Sequence, residues 1–471
     1  MSDTAITLII GGGFTGLFTA LHLSRLGYDA PVVLIDQSER FIFQPLLYEL
    51  LSGEMKPELV WLRYEELLQG SGVTFVQAIV QAIDLKQRQV HLTSSKCYSY
   101  NQLVIALGST TGYFNVSGAQ EHSWPFRTGE DAVALAHHLR HCLRQARQTP
   151  DRAARHTLLT VAVIGAGPTG VELAGTLADL LPAWYVELGG NSAEIRVVLL
   201  SRDSKILEGD VNRPIRKAAL RGLQQRTVPV EYLLDAEVTA VHANQVEFQR
   251  HNQQEFLTAA TIVWTAGTTV SPLIKTLPLP ELGRDKQGRI QVAPTLQIPG
   301  FPEVFAGGDC ASVELNPLPA TAQVAYQQGA AIARNLKAIS QGYSPRPAHI
   351  TLRGSFLKLG VGDSAANLFD RFAITGKLGN LVRQGTYLDR TPPLGLNLPV
   401  ITGWLSSEAW NRSQSQQAAP LVRWIGGMVI TTLLVGSGLL GWRAVEPQQF
   451  NRIWQPTGLP VLLDRLLPSK S

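Results

Sequence analysis

A chain of 471 residues has room for about three domains and ample core, at roughly 150 residues per domain. Its formal net charge of +4, with no dominant block of Lys or Arg, argues against nucleic acid as a partner and suits a mildly basic surface. Cys97, Cys142 and Cys310 are the only cysteines and lie too far apart for a CxxC redox pair or a zinc knuckle, so no metal site and no disulfide framework are expected, in keeping with a reducing compartment. Met1 stands a few residues before the first strand, which leaves no room for a targeting peptide, and the active domains are expected to face the cytoplasm.

From the start of the chain, Ile6–Ile10 reads as an apolar strand, Gly11, Gly13 and Gly16 fall in the GxGxxG spacing, and Leu17–Leu26 continues as a helix. The first glycine permits the turn, the second lets a pyrophosphate approach the backbone, and the third lets helix pack on strand. Free N–H groups at the helix start then face the phosphates. Asp36 closes a second strand, Val32–Ile35, about twenty residues beyond the last glycine, where an acid can hydrogen-bond the ribose hydroxyls of an adenosine. A role for Asp36 as a turn cap would not explain that spacing. Arg40–Met55, RFIFQPLLYELLSGEM, fits neither the strand nor the helix period and reads as an irregular loop running into a helix, with Phe41, Phe43 and Tyr48 in the core. Val73–Leu92 alternates as strands of a meander, and QLVIALG over Gln102–Gly108 is a buried strand that brings Gly108 close beneath a bound dinucleotide. Glu130–Gln145 is helical, and the polar, basic connection Thr149–Arg155, which holds Pro150, marks a domain boundary.

A second fingerprint follows. Thr160–Ile164 is a β-branched buried strand, Gly165, Gly167 and Gly170 repeat the spacing, and an Ala- and Leu-rich helix comes next, so two dinucleotides are expected. The second strand of this unit, Ile195–Ser201, is delayed by an insertion, Trp184–Glu194, that contains Gly189 and Gly190. IVWTAG, ending at Gly267, mirrors Val104–Gly108, which makes the chain a duplicated dinucleotide-binding fold of the α/β class. VFAGGD is a short strand ending in Asp309, and Pro319, as a first-turn proline, opens a helix. Gln323 and Gln327 are four apart on one face of it, and spacing alone reads them as exposed glutamines.

On these motifs the chain resembles the type II NAD(P)H:quinone oxidoreductases, single-subunit, non-pumping membrane flavoenzymes with two dinucleotide-binding domains, over roughly residues 5–345. The wider superfamily is carried by the two fingerprints, QLVIALGS and VFAGGD, and the narrower likeness by FIFQPLLYELLSG, GPTGVELAG and AQVAYQQG. The resemblance implies two Rossmann-like domains and a C-terminal membrane-associating region. FAD would lie in residues 1–120 with 290–345, against Gly11, Gly13, Gly16, Asp36, Gly108 and Asp309, the last near the ribityl chain. NADH or NADPH would lie in 121–289, against Gly165, Gly167, Gly170, Ser201, Arg202 and Gly267. It also implies a ping-pong cycle in which a nicotinamide reduces the flavin and a membrane quinone reoxidises it. Glu172 matches a family acid that handles hydride or proton, where position alone makes it a helix N-terminal carboxylate. Gln323 and Gln327 match the paired glutamines of the family's quinone pocket, and the helix opened by Pro319 would aim its positive end at the flavin pyrimidine edge. Sulfide:quinone reductases share the architecture but work through a cysteine pair beside the flavin, whereas only Cys310 has a plausible place here; a slow-turnover NAD(P)H-binding redox sensor is the other alternative.

Residues 346–471 begin with strand-like ITLRGSFLKLGVG and a further helix. Trp424–Trp442 is then an uncharged run of 19 residues between Arg423 and Arg443, read as a membrane span or a shallow re-entrant helix ahead of a buried core helix. Arg412, Arg423, Arg443, Arg452, Arg465 and Lys470 outnumber Glu446 and Asp464 there, which favours a lipid bilayer as partner; a homodimer is one admissible assembly. The second strand of the second unit ends VVLLSRDS, with Ser201 where an NADH-selective unit carries an acid and Arg202 beside it, so NADPH is expected to serve at least as well as NADH. Arg202 as a solvated loop charge, and Asp203 brought to the ribose by a one-residue shift, are the competing readings.

Overall fold

The structure, a computed structural model, describes residues 6–388 apart from 210, 212, 280–282, 314–316, 353 and 369–371. The first fingerprint builds a six-stranded sheet in the order Gln297–Ile298, Phe301–Ala306, Gln102–Ile105, Thr7–Ile10, Val32–Asp36, Val73–Gln77, parallel except at its Gln297–Ile298 edge. The central strand Thr7–Ile10 is buried along its whole length, as a strand covered on both faces must be. The second builds a five-stranded parallel sheet in the order Trp124–Pro125, Thr261–Trp264, Thr160–Ile164, Arg196–Leu200, Glu231–Leu233. Each unit carries a three-stranded antiparallel sheet, over Val80–Ser99 in the first and Glu237–Thr258 in the second. Ser109–Thr111 pairs antiparallel with Thr268–Val270 and stitches the halves together.

Four expectations change. Val73–Gln77 is the edge of the parallel sheet rather than part of the meander, and its alternation reflects one solvated side. Most of Thr149–Arg155 is not loop, because the Asp151 carboxylate accepts from Ala153 and Ala154 N–H and starts a helix, Arg152–Leu159. The insertion at Trp184 is largely helix too: Pro168–Glu187 runs on through Pro182, with the Arg140 guanidinium 4.1 Å over the Trp184 ring. Pro319 precedes the helix it was expected to open. That helix is Ala322–Ser340, capped by Thr321, whose hydroxyl accepts from Val324 N–H at 3.3 Å.

A third region follows, an antiparallel sheet of Gly354–Gly360, Asp363–Leu368 and Phe372–Ile374 with the helix Gly376–Leu388. It lies against Pro168–Glu187 so closely that a Cβ on Gly175 would fall on the Leu359 carbonyl oxygen. No helix among the described residues is long and apolar enough to cross a membrane, and Trp424–Trp442 lies outside them.

Candidate active site

Both fingerprints close in the same way. The first glycine of each sits at positive φ, +94° at Gly11 and +106° at Gly165, and a Cβ on the third, Gly16 or Gly170, would collide with the carbonyl oxygen of the first. Gly13 and Gly167 are the helix N-caps and neither supplies a side-chain cap, so the N–H groups of the first turn stay available. A Cβ on Gly13 would meet nothing within 4 Å, which is the open ground a pyrophosphate needs.

That ground is part of a cleft of about 990 Å³ whose walls include Gly11, Gly13, Asp36, Gly108 and Asp309. At one end the Asp36 carboxylate accepts from Gly12 N–H at 2.5 Å and Ser38 N–H at 2.8 Å, and burial raises its pKa. At the other, Asp309 accepts from Ser109 Oγ at 2.8 Å and lies 3.5 Å from the Arg127 guanidinium, which itself donates to Ser109 Oγ at 2.6 Å. Gln328 fixes this end, accepting from Gly308 N–H at 2.6 Å. The cleft therefore fits FAD: acid at the adenosine end, free helix N–H groups in the middle, and polar groups beside the position expected for the ribityl chain. Gly16 lies beneath it and serves packing.

The register of the second unit is fixed by a matching pair of bonds, Gly11 N–H to Ile35 O and Gly165 N–H to Leu200 O, both 2.8 Å. Ser201 therefore occupies the place of Asp36. Its hydroxyl accepts from Asp203 N–H at 3.2 Å, the same two-residue turn that Asp36 makes to Ser38. Ser201 is buried and Arg202 exposed, and Asp203 stands two residues beyond the acid's position. Gly267, at φ +124°, lies near the Phe114 ring.

Glu172 is half-buried on the first turns of Pro168–Glu187. Its Oε1 accepts from Lys358 N–H at 2.7 Å and its carboxylate takes the Tyr48 hydroxyl. Burial pushes its pKa up to about 7 against the opposing pull of the Arg383 guanidinium. Behind it sit Glu49, Lys358 and Arg383, all fully buried. Lys358 Nζ bonds Glu49 at 2.9 Å and the partly exposed Glu54 at 2.8 Å, and Arg383 bonds Glu49 Oε1. Burial works against the Lys358 ammonium, but Glu49 and Glu54 outweigh it and raise its pKa. None of these three was singled out from sequence. The available signal was a lone charge inside an apolar run, Glu49 in LLYELL and Lys358 in FLKLG.

Gln323 is buried rather than exposed. Gln327 spends both ends of its amide on Thr351, donating to its carbonyl at 3.1 Å and accepting from its N–H at 3.0 Å, and so ties its helix to the segment before the third region. Neither glutamine is among the walls of the 990 Å³ cleft. The three cysteines are free, Cys97 exposed and Cys142 and Cys310 buried, with burial pushing the Cys310 thiol up to about 11.

Comparison with known proteins agrees with this geometry. Residues 6–329 match the pyridine nucleotide-disulphide oxidoreductase family model. The chain is 34% identical over 411 residues to demethylphylloquinone reductase NdbB of Synechocystis sp., covering 84% of this chain and 95% of the relative. It is 30% identical over 441 residues to the alternative NAD(P)H-ubiquinone oxidoreductase C1 of Arabidopsis thaliana, covering 85% and 80%. Among solved structures, NDH2 from Plasmodium falciparum in complex with NADH superposes with a TM-score of 0.76 at 17% identity, over 88% of this chain and 99% of that one. The sulfide:quinone oxidoreductase of Aquifex aeolicus superposes less well, at 0.66 and 18%, over 81% and 89%. The chain belongs to the pyridine nucleotide-disulphide oxidoreductase family and, within it, to the type II NAD(P)H:quinone oxidoreductases.

Proposed function

We propose that this chain oxidises NAD(P)H at its second fingerprint and passes two electrons through FAD to a membrane quinone, with Glu172 handling the proton. FAD, when bound along Gly11, Gly13, Asp36, Gly108 and Asp309, supplies the two-electron carrier between the two substrates. The balance is NAD(P)H + H⁺ + quinone giving NAD(P)⁺ + quinol. The hydride accounts for both electrons and one hydrogen, and one proton must come from solvent. A carboxyl with a pKa of about 7 can both hold and release that proton near neutral pH. The observation that carries the reading is the cleft running from the Asp36 carboxylate to Asp309 beside a second, independent dinucleotide turn.

On this reading residues 1–120 and 290–345 hold FAD and residues 121–289 the nicotinamide. Ser201 in the place of Asp36 supports use of NADPH at least as well as NADH, with exposed Arg202 available to a 2′-phosphate. The basic C-terminal flank supports attachment to an anionic bilayer with the catalytic units on the cytoplasmic side. Steady-state assay of the purified, yellow, FAD-loaded protein with NADH, NADPH and a short-chain quinone tests the core of this. A folded preparation that takes up no FAD, or that reduces no quinone, overturns it.

A further inference from the structure

The proposed catalytic carboxyl is held almost wholly by residues outside its own helix. Leu47–Ser52 supplies two neighbours in sequence, Tyr48 to Glu172 and Glu49 to the buried charges. Lys358 does the same from the third region, giving its backbone N–H to Glu172 and its ammonium to Glu49 and Glu54. Arg383, from the helix Gly376–Leu388, closes the group on Glu49, reaches Ser364 Oγ at 3.3 Å, and lies 5.2 Å over the Tyr387 ring. Two cations and two anions balance, with Glu172 as the fifth group. A buried ion cluster is weak evidence for stability, since apolar replacements of the same volume are often as stable. This one shares Lys358 with the immediate contacts of Glu172, and its Glu49 is the chain neighbour of the other contact, Tyr48.

We infer that Glu49, Lys358 and Arg383 are positioning residues for Glu172, through which the third region sets how readily that carboxyl takes up and releases its proton. The inference rests on the reading of Glu172 as the proton-handling acid. The groups acting on Glu172 are Tyr48 and Glu49 from the first unit, the Lys358 backbone N–H from the strand and Arg383 from the last described helix, while Glu54 pairs with the Lys358 ammonium. Of these the Arg383 charge favours its ionised form and Glu49 opposes it.

The test uses full-length, FAD-loaded protein and follows anaerobic flavin reduction by NAD(P)H, then reoxidation by a short-chain quinone, across the neutral pH range. Wild type should show a midpoint near 7 that Glu172→Gln abolishes. Arg383→Gln should raise that midpoint by roughly one pH unit or more, because the positive charge that favours the carboxylate is lost. Arg383→Lys should bring it back toward wild type. Glu49→Gln keeps the shape, removes an anion, leaves both cations less neutralised, and should lower the midpoint. A purely structural cluster would not move one midpoint in opposite directions. If Glu172→Gln keeps the wild-type midpoint, the assignment of Glu172 itself fails and this inference with it. If Glu172→Gln abolishes the midpoint while the Arg383 and Glu49 variants leave it in place or shift it the same way, the inference alone is overturned. Should Arg383→Gln not retain FAD, the direction of the Glu49→Gln shift decides.

Discussion

Glu172 carries a cost in stability as well as a role in chemistry. Its pKa is about 7 in the folded protein against 4.5 for an ordinary glutamate, so the folded chain keeps a proton that the unfolded chain has lost. The resulting stability is complete below about 4.5 and falls away as pH rises to about 7. Glu172→Gln can still accept from Lys358 N–H, and its melting temperature should exceed that of wild type above neutral pH, with the margin shrinking on acidification. Thermal melts at paired pH values check this, and a constant margin would contradict it. At the other dinucleotide end, Ser201→Glu restores the acid that Asp36 supplies in the first unit and should turn preference toward NADH by roughly ten- to hundredfold, the equivalent of about 1.5–3 kcal/mol for a hydrogen bond to a charged group. The ratio of kcat/KM for the two coenzymes measures it. Strong NADH preference in wild type, unmoved by Ser201 or Arg202 replacement, would remove the role given to this strand end.

Among elements, the two glycine-started helices invite a comparison that separates the sites. A Cβ on Gly16 or Gly170 must displace the turn that carries the first glycine. Gly16→Ala should abolish FAD retention, while Gly170→Ala should leave a yellow protein that NAD(P)H no longer reduces; cofactor content and single-turnover spectra distinguish them. The helix Ala322–Ser340 joins several parts at once. Thr15 and Thr19 donate to the Ala325 and Gly329 carbonyls at 3.0 and 3.2 Å, Gln328 fixes the turn before Asp309, and Gln327 holds Thr351. If the family pair serves the quinone, Gln323→Leu should slow reoxidation by quinone and spare reduction by NAD(P)H. Gln327→Leu, by freeing Thr351, should also lower the thermal stability. Equal damage to both half-reactions would point to misfolding.

Over the whole molecule, electrons should pass without thiols, since the three cysteines are free and two are buried away from solvent. The triple Cys→Ser protein should keep NAD(P)H:quinone activity, and complete loss with FAD still bound would favour sulfide chemistry. Truncation near Asn411 should release an FAD-containing protein from membranes; full-length protein already soluble without detergent would defeat that expectation. The duplicated parallel fold and its dinucleotide ends were legible in the chain because strand, turn, glycine and helix are local and their spacing is set by backbone sterics. The same locality explains what was misjudged. Gln323 and Gln327 look exposed by spacing, yet one is buried and the other clamps Thr351, a partner 24 residues away. Ser201 was uncertain by a residue until two equivalent bonds to Gly11 and Gly165 fixed its register. Glu49, Lys358 and Arg383 were silent because a buried charge declares itself only beside its partner, and these partners stand hundreds of residues apart, Glu49 from Lys358 by 309 and from Arg383 by 334. Sequence alone determined the family, the two nucleotide turns and the acid at the first strand end, whose causes lie within a few residues of one another. Tertiary structure decided what surrounds Glu172, because desolvation and charge pairing depend on distance in space and not along the chain.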